Sequence, residues 1–239
     1  MTLTSFGQDI HAVVFGASGG IGAALAAGLR DDPAVARLST VSRGGETDHH
    51  CDYHSEDSIA ATAEAIGADG PVHIVIVATG ILHGDGIAPE KTWKALDADV
   101  MAQVFAINTI VPTMIAKHML SRLATDRKSA FAALSARVGS ISDNRLGGWL
   151  SYRASKAALN MSIKTLSIEL ARVNKHAIIL GLHPGTVETG LSQPFRGNVP
   201  TKQLFTPEHS ANLLLETLDK APAESTGTVL AYDGTRIVP

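Results

Sequence analysis

The chain has 239 residues, of which 45% are hydrophobic and 18% charged, and its formal net charge is −3. That length and apolar content suit one large α/β domain over residues 1–239, and the charge leaves no basic field for nucleic acid or an anionic membrane. The single cysteine, Cys51, excludes an internal disulfide. The amino terminus lacks a secretory pattern, and no apolar stretch reads as long enough to span a bilayer, so a cytoplasmic location is expected.

Short apolar runs alternate with helical patterns. Ala12 to Phe15 reads as a buried strand and Ile21 to Arg30 as an alanine-rich helix. Leu38 to Val41 reads as a second strand, followed by a helix over Ser58 to Ile66. Val72 to Val77 is nearly continuous β-branched sequence, as a strand covered on both faces requires. Met101 to Leu123 reads as a long helix in which Pro112 predicts a kink or break. Phe131 to Leu134 is a strand, Tyr152 to Val173 a long helix, and His176 to Leu182 another strand. Thr206-Pro207 opens a helix to Leu218, and Val229 to Tyr232 is the last strand. Such alternation implies parallel strands with right-handed helical crossovers. The predicted architecture is a single doubly wound, Rossmann-type domain of about seven strands, with helices on both faces. Small residues on the long helices, among them Ala154, Ala157 and Ala158, fit close packing between helices or between subunits of a homodimer or homotetramer.

Gly16-Ala17-Ser18-Gly19-Gly20-Ile21-Gly22 lies between the first strand and the first helix. Glycines let a backbone turn tightly and approach a pyrophosphate, and the helix that follows offers free N–H groups to the phosphates. In this context the motif points to a dinucleotide. An acid roughly 20 residues further on, at the end of the second strand, would bind a ribose 2′-hydroxyl. This chain instead has Ser42-Arg43-Gly44, with no acid before Glu46. A guanidinium suits a 2′-phosphate, so NADP(H) is favoured, with NAD(H) the alternative.

The run His49-His50-Cys51-Asp52-Tyr53-His54 lacks the spaced ligand pairs of a metal site, and none is predicted. Asp52 follows a short third strand and is placed to accept from an adenine amino group, with Tyr53 beside it. Tyr152 and Lys156 stand four apart at the start of a helix and therefore share one face. There an ammonium is expected to lower the phenol's pKa and fit it for acid–base work.

These residues resemble the short-chain dehydrogenase/reductase family from the glycine turn to the last strand. Gly16, Gly20 and Gly22 match its glycine motif, and Tyr152 and Lys156 its Tyr-x-x-x-Lys. Asn108 matches its helical asparagine, and Pro184-Gly185 its Pro-Gly turn. Phe131 to Asn160 is especially similar to the carbonyl-reductase subgroup that includes the C-factor and sniffer proteins. The resemblance implies reduction of a carbonyl or oxidation of an alcohol, with Tyr152 donating the proton. Lys156 would bond the nicotinamide ribose, Asn108 would support a water relay to Lys156, and Val187 and Thr189 would hold the carboxamide. Ala78 and Gly80 complete the expected cofactor contacts.

Two departures from the family pattern matter. Ala78-Thr79-Gly80 replaces Asn-Ala-Gly, so Thr79 is expected to take over part of the lost bonding. Ser135-Ala136 replaces Ser-Ser and puts alanine where the family has its carbonyl-binding serine. Ser135 from a shifted position, Ser140, or no serine at all are the readings that remain. Leu191 to Phe205 reads as a loop over the substrate, with apolar Leu191, Phe195, Leu204 and Phe205. Together with Trp149 and Leu150, this wall suits a small apolar aldehyde or ketone. A nucleotide-binding regulatory protein with weak or no catalysis is the alternative.

Overall fold

A computed structural model describes residues 3–84, 86–190 and 204–239. Eight strands form one sheet in the order β10-β9-β6-β5-β4-β1-β2-β3. The strands are β1 (Ile10–Phe15), β2 (Val35–Ser42), β3 (His49–His50), β4 (Ile74–Val77), β5 (Ser129–Leu134), β6 (Ala177–His183), β9 (Thr228–Ala231) and β10 (Arg236–Ile237). All pairings are parallel except β9 with β10. The sequence predicts about seven strands; the additional one is the two-residue β10, too short for a hydrophobic period to reveal. A separate parallel pair joins β7 (Thr186–Val187) to β8 (Leu204–Phe205).

The two-residue period of each strand assigns its side chains to opposite layers. Ala12, Val14, Ile74 and Ile76 face α1 (Gly20–Arg30) and α6 (Pro207–Lys220), where Leu25, Leu29, Leu214 and Leu218 complete one core. Val13, Phe15, Val75, Val77 and Phe131 face the other layer, made of α2 (Glu56–Gly67), α4 (Val111–Met119) and α5 (Leu150–Leu170). Side-chain caps fix two of the helix starts. Ser55 accepts from the Ser58 amide and Thr206 from the His209 amide, with Pro207 at the first turn.

The helix predicted over 101–123 is in four parts, the last a 3-10 turn at Leu120–Arg122. α3 (Ala98–Phe105) runs into a π-helical turn at Ala106–Ile110, and α4 continues with Pro112 in its first turn. Proline has no N–H for the regular ladder, and the wider turn just before it absorbs that loss. Contrary to the sequence expectation, Ala98–Arg122 is by length and composition long and apolar enough to cross a membrane, with 25 residues and an 18-residue window of mean hydropathy 1.4. In this fold one side of it packs into the core, where Val111, Ile115, Ala116 and Met119 are buried against the sheet, α2 and α5, while Ile110 is exposed.

At the opposite edge of the sheet from the strand C-termini, His11 and His73 are buried. The His11 amide donates to His73 Nδ1 at 3.1 Å, and His11 Nε2 lies 3.2 Å from Ser39 Oγ. Burial lowers the pKa of both imidazoles, with the Arg37 charge adding to the effect at His11 and the Arg127 charge at His73. A depressed folded pKa means that the unfolded chain takes up protons the native state refuses. Stability should therefore hold above the unfolded histidine pKa of about 6.5 and decline as pH falls through it. Urea unfolding midpoints at pH 7.5 and 5.5 check this: the midpoint should be lower at 5.5 in the parent, and the drop should shrink in His11→Gln. An equal drop in both proteins would contradict the assignment.

Candidate active site

The C-terminal ends of the parallel strands open into two adjoining cavities, where a doubly wound sheet places its ligands. The first, of about 340 Å³, is lined by Gly16, Ser18, Ser42, Arg43, Tyr53, Ala78, Thr79 and Gly80. It lies where crossovers leave β1 in opposite directions, toward β2 on one side and β4 on the other.

The glycine turn fits a group that must come close to backbone. Gly16 has φ +81°, and a Cβ there would sit 3.0 Å from the Ala78 carbonyl carbon. A Cβ on Gly22 would lie 2.1 Å from the Gly16 oxygen, so the helix could not start where it does. α1 has no side-chain cap and no acid in its first turn, which leaves its positive end available to an anion. Gly20 packs against Thr189, whose methyl is 2.8 Å from where a Cβ would stand.

At the end of β2, Arg43 is exposed and makes no ion pair among the described residues. Ser42 Oγ donates to the Gly44 carbonyl at 2.5 Å, so its proton is used within the turn. Tyr53 braces the glycine turn, since its hydroxyl accepts from the Gly16 amide at 2.9 Å and donates to the Val41 carbonyl at 3.1 Å. Asp52 accepts from the His54 amide at 3.0 Å and stands outside the residues lining this cavity, which His54 joins. Thr79 does not take over the bracing expected of it, because its buried hydroxyl has no partner.

The second cavity, of about 220 Å³, lies between the ends of β5 and β6. Ile21, Leu82, Val138, Trp149 and Val187 give it apolar walls, and Tyr152, Ser135, Ala136, Arg137, His183, Thr186 and the Pro184–Gly185 turn line the rest, with Thr189 at its side. Leu204 and Phe205 pair with Thr186 and Val187. Phe205 also meets Tyr232 edge-on, which buttresses Gly185. Leu191 and Phe195 lie outside the described residues.

α5 positions the titratable pair. Lys156 is 3% exposed; its Nζ donates to the Leu134 carbonyl at 2.8 Å and lies 5.9 Å from the centre of the Tyr152 ring. Burial pushes the Tyr152 phenol up to about 12 and the Lys156 ammonium down to about 8. Desolvation therefore outweighs the expected lowering of the phenol's pKa by the ammonium, and Tyr152 is held in its protonated form at neutral pH.

Asn108 sits in the π-helical turn. Its Oδ1 accepts from the Ile81 amide at 2.8 Å, and its Nδ2 donates to the Ile81 carbonyl at 2.9 Å and to Ser155 Oγ at 3.2 Å. Ser155 in turn donates to the Tyr152 carbonyl. The Asn108 side chain thus fastens the strand β4 exit to the first turns of α5; it does not bond Lys156. Ser135 Oγ donates to Asn160 Oδ1 at 2.6 Å, and Ser140 Oγ to the Val238 carbonyl at 2.5 Å. Both hydroxyls therefore donate within the protein, Ser135 from the wall of the second cavity.

Sequence reasoning gave no role to Glu90. Its backbone oxygen accepts from the Trp149 amide at 2.6 Å, and its buried carboxylate accepts from the Ser151 amide and hydroxyl at the start of α5. Trp149 is held at φ 53°, a left-handed conformation rare outside glycine. A carboxylate at a helix N-terminus is favourable, but nothing in the local sequence marks this one, because it reaches α5 from a distant loop. Glu90→Ala should lower the unfolding free energy by about 1–3 kcal/mol, since it leaves the Ser151 donors unpaired. Denaturant titration measures this, and an unchanged midpoint would refute the capping role.

A strand–glycine turn–helix unit and a buried Tyr/Lys pair at the end of one parallel sheet define a Rossmann-type oxidoreductase. The family model described as enoyl-(acyl carrier protein) reductase matches residues 16–235, and the chain belongs to the short-chain dehydrogenase/reductase family. It is 33% identical over 171 residues to C-signal of Myxococcus xanthus, spanning 70% of this chain and 93% of that protein. It is 30% identical over 184 residues to 1-hydroxy-2-glutathionyl-2-methyl-3-butene dehydrogenase of Rhodococcus sp. (strain AD45), spanning 77% of this chain and 76% of that one. The fold matches carbonyl reductase Sniffer of D. melanogaster with a TM-score of 0.84 at 23% identity, covering 97% of this chain and 100% of that chain. NADPH-bound carbonyl reductase from chicken fatty liver gives 0.81 at 24% identity, with the same coverages.

Proposed function

We propose that this oxidoreductase reduces a small apolar aldehyde or ketone with NADPH, using Tyr152 as the proton donor. The observation that carries the reading is the buried Tyr152–Lys156 pair, which borders a cavity with mostly apolar walls at one end of the cleft. At the other end stands Arg43, with no carboxylate in the position that would bind a ribose 2′-hydroxyl. Solved relatives described as binding NADPH or NADP agree with the cofactor choice.

When bound, the reduced dinucleotide supplies hydride; the protein contributes position and charge. The Gly16–Gly22 turn and the α1 N-terminus would receive its phosphates, and Arg43 its 2′-phosphate. Val187 and Thr189 lie beside the turn that meets its nicotinamide end. Tyr152 keeps its proton at neutral pH and gives it up to the carbonyl oxygen as negative charge develops there. Lys156, anchored on Leu134, stabilises the phenolate left behind. Asn108 fixes the height of α5 over the sheet. Assembly as a homodimer or homotetramer in the cytoplasm belongs to the same reading; Met161 and Ile168 leave an apolar strip exposed on α5.

A second reading, a nucleotide-binding regulatory protein with weak or no catalysis, draws on the relative named C-signal and on the Ser135 hydroxyl being turned to Asn160. NADPH oxidation with a panel of aldehydes and ketones separates the two. Under the reductase reading, Tyr152→Phe loses about 10²–10⁴-fold in kcat while NADPH affinity stays near the parent's. Full turnover in that variant would remove Tyr152 from the role. NADPH should bind at least about tenfold more tightly than NADH, and Arg43→Ala should narrow the gap, as charged hydrogen bonds of about 1.5–3 kcal/mol imply. Fluorescence titration of both cofactors decides this, and equal affinities in the parent would contradict it.

A further inference from the structure

Tyr152 is one proton donor at the edge of the 220 Å³ cavity, and an oxygen held by a single donor is poorly fixed. Serine hydroxyls do not supply the second, because Ser135, although on the cavity wall, donates its proton to Asn160, and Ser140 lies outside the wall. Ala136, which does line it, has no polar side chain. His183 remains. It is the last residue of β6, and it borders the same cavity as Tyr152.

The two ring nitrogens of His183 are not equivalent. Nδ1 is enclosed and has no hydrogen-bond partner, whereas Nε2 is not among the enclosed orphan atoms and makes no hydrogen bond among the described residues. A neutral imidazole carries one N–H and one lone pair. An enclosed, unpaired N–H is rarer and costlier than an unpaired acceptor, so the lone pair belongs on Nδ1 and the proton on Nε2. The ring is neutral, because burial pushes its pKa down to about 4 with the nearby Arg137 charge adding to the effect and Asp233 opposing it. Tyr232 lies 6.5 Å away, ring centre to ring centre, and limits the ring's movement on one side.

We propose that His183 is a catalytic residue that donates its Nε2–H to the substrate oxygen beside Tyr152. The assignment rests on the reductase reading of this cavity. It also sets substrate class: the group bound between the two donors must be an acceptor oxygen, a carbonyl in reduction, with an apolar remainder against Leu82, Val138 and Trp149.

The test uses three variants of the full chain, assayed for NADPH oxidation with an aldehyde that the parent reduces. A glutamine amide places its nitrogen near the position of Nε2, an asparagine amide near that of Nδ1, and phenylalanine keeps only the ring. His183→Phe and His183→Asn should lose about 10²-fold in kcat/KM, the size expected for one oxyanion donor. His183→Gln should recover most of that loss, and all three should keep the parent's NADPH affinity by fluorescence titration. Parent-like kcat/KM in His183→Phe, or equal activities in the Asn and Gln variants, would overturn the assignment while leaving the reductase reading intact. If His183→Phe does not fold, the Asn–Gln comparison alone decides. A parent that binds NADPH yet reduces no carbonyl would overturn both.

Discussion

An ammonium taken out of water costs several kcal/mol unless hydrogen bonds replace its hydration, and Lys156 is almost wholly enclosed. Its bond to the Leu134 carbonyl is what makes that burial tolerable, and it ties α5 to the end of β5. The neighbouring backbone has to come very close. A Cβ on Gly139 would lie 2.9 Å from the Lys156 carbonyl carbon, so only glycine lets the β5 exit pass under the helix. One helical turn before Lys156, Tyr152 then falls on the cavity wall. The rest of the site is a set of supports for that placement, from Asn108 and Ser155 on one side to Glu90 at the helix start.

Both supports come from irregular backbone. The π-helical turn lets Asn108 meet Ile81 and Ser155 at once. A regular helix leading into Pro112 would also lack the ladder donor that the turn makes unnecessary. Gly147, Gly148 and Trp149 are successively left-handed before α5, and the Trp149 conformation persists because Glu90 accepts from its amide. Strain of this kind is kept where position matters more than local ease. Trp149 then stands edge-on to Tyr152, their ring centres 6.4 Å apart, and forms part of the apolar wall.

Much of the fold is legible in the sequence because its signals are local. The buried strands declare themselves as β-branched runs, the glycine turn by its setting between strand and helix, and the Tyr152–Lys156 pair by its four-residue spacing. What is not legible depends on residues brought together from far apart. Glu90 reaches α5 across 61 positions, and Ser135 finds Asn160 across 25. The direction of the phenol's pKa shift escapes the sequence because spacing shows a neighbouring charge but not the depth of burial, which wins here. No apolar stretch reads as long enough to span a bilayer, although Ala98–Arg122 passes by length and composition; packing of its Val111, Ile115 and Met119 side against the sheet accounts for only part of its apolar character. His183 is visible beside Pro184-Gly185, but nothing in the sequence shows that one ring nitrogen is sealed and the other is not.

If the two cavities form one reaction cleft, hydride must arrive at a carbon held beside Tyr152. The most direct measurement follows deuterium from NADPH labelled on the reduced nicotinamide ring into an aldehyde, with the product read by mass spectrometry. One deuterium should appear on the former carbonyl carbon of the alcohol product. NADPH bound without transfer to any carbonyl offered, or product formed without the label, would contradict a single cleft built around Tyr152 and Lys156.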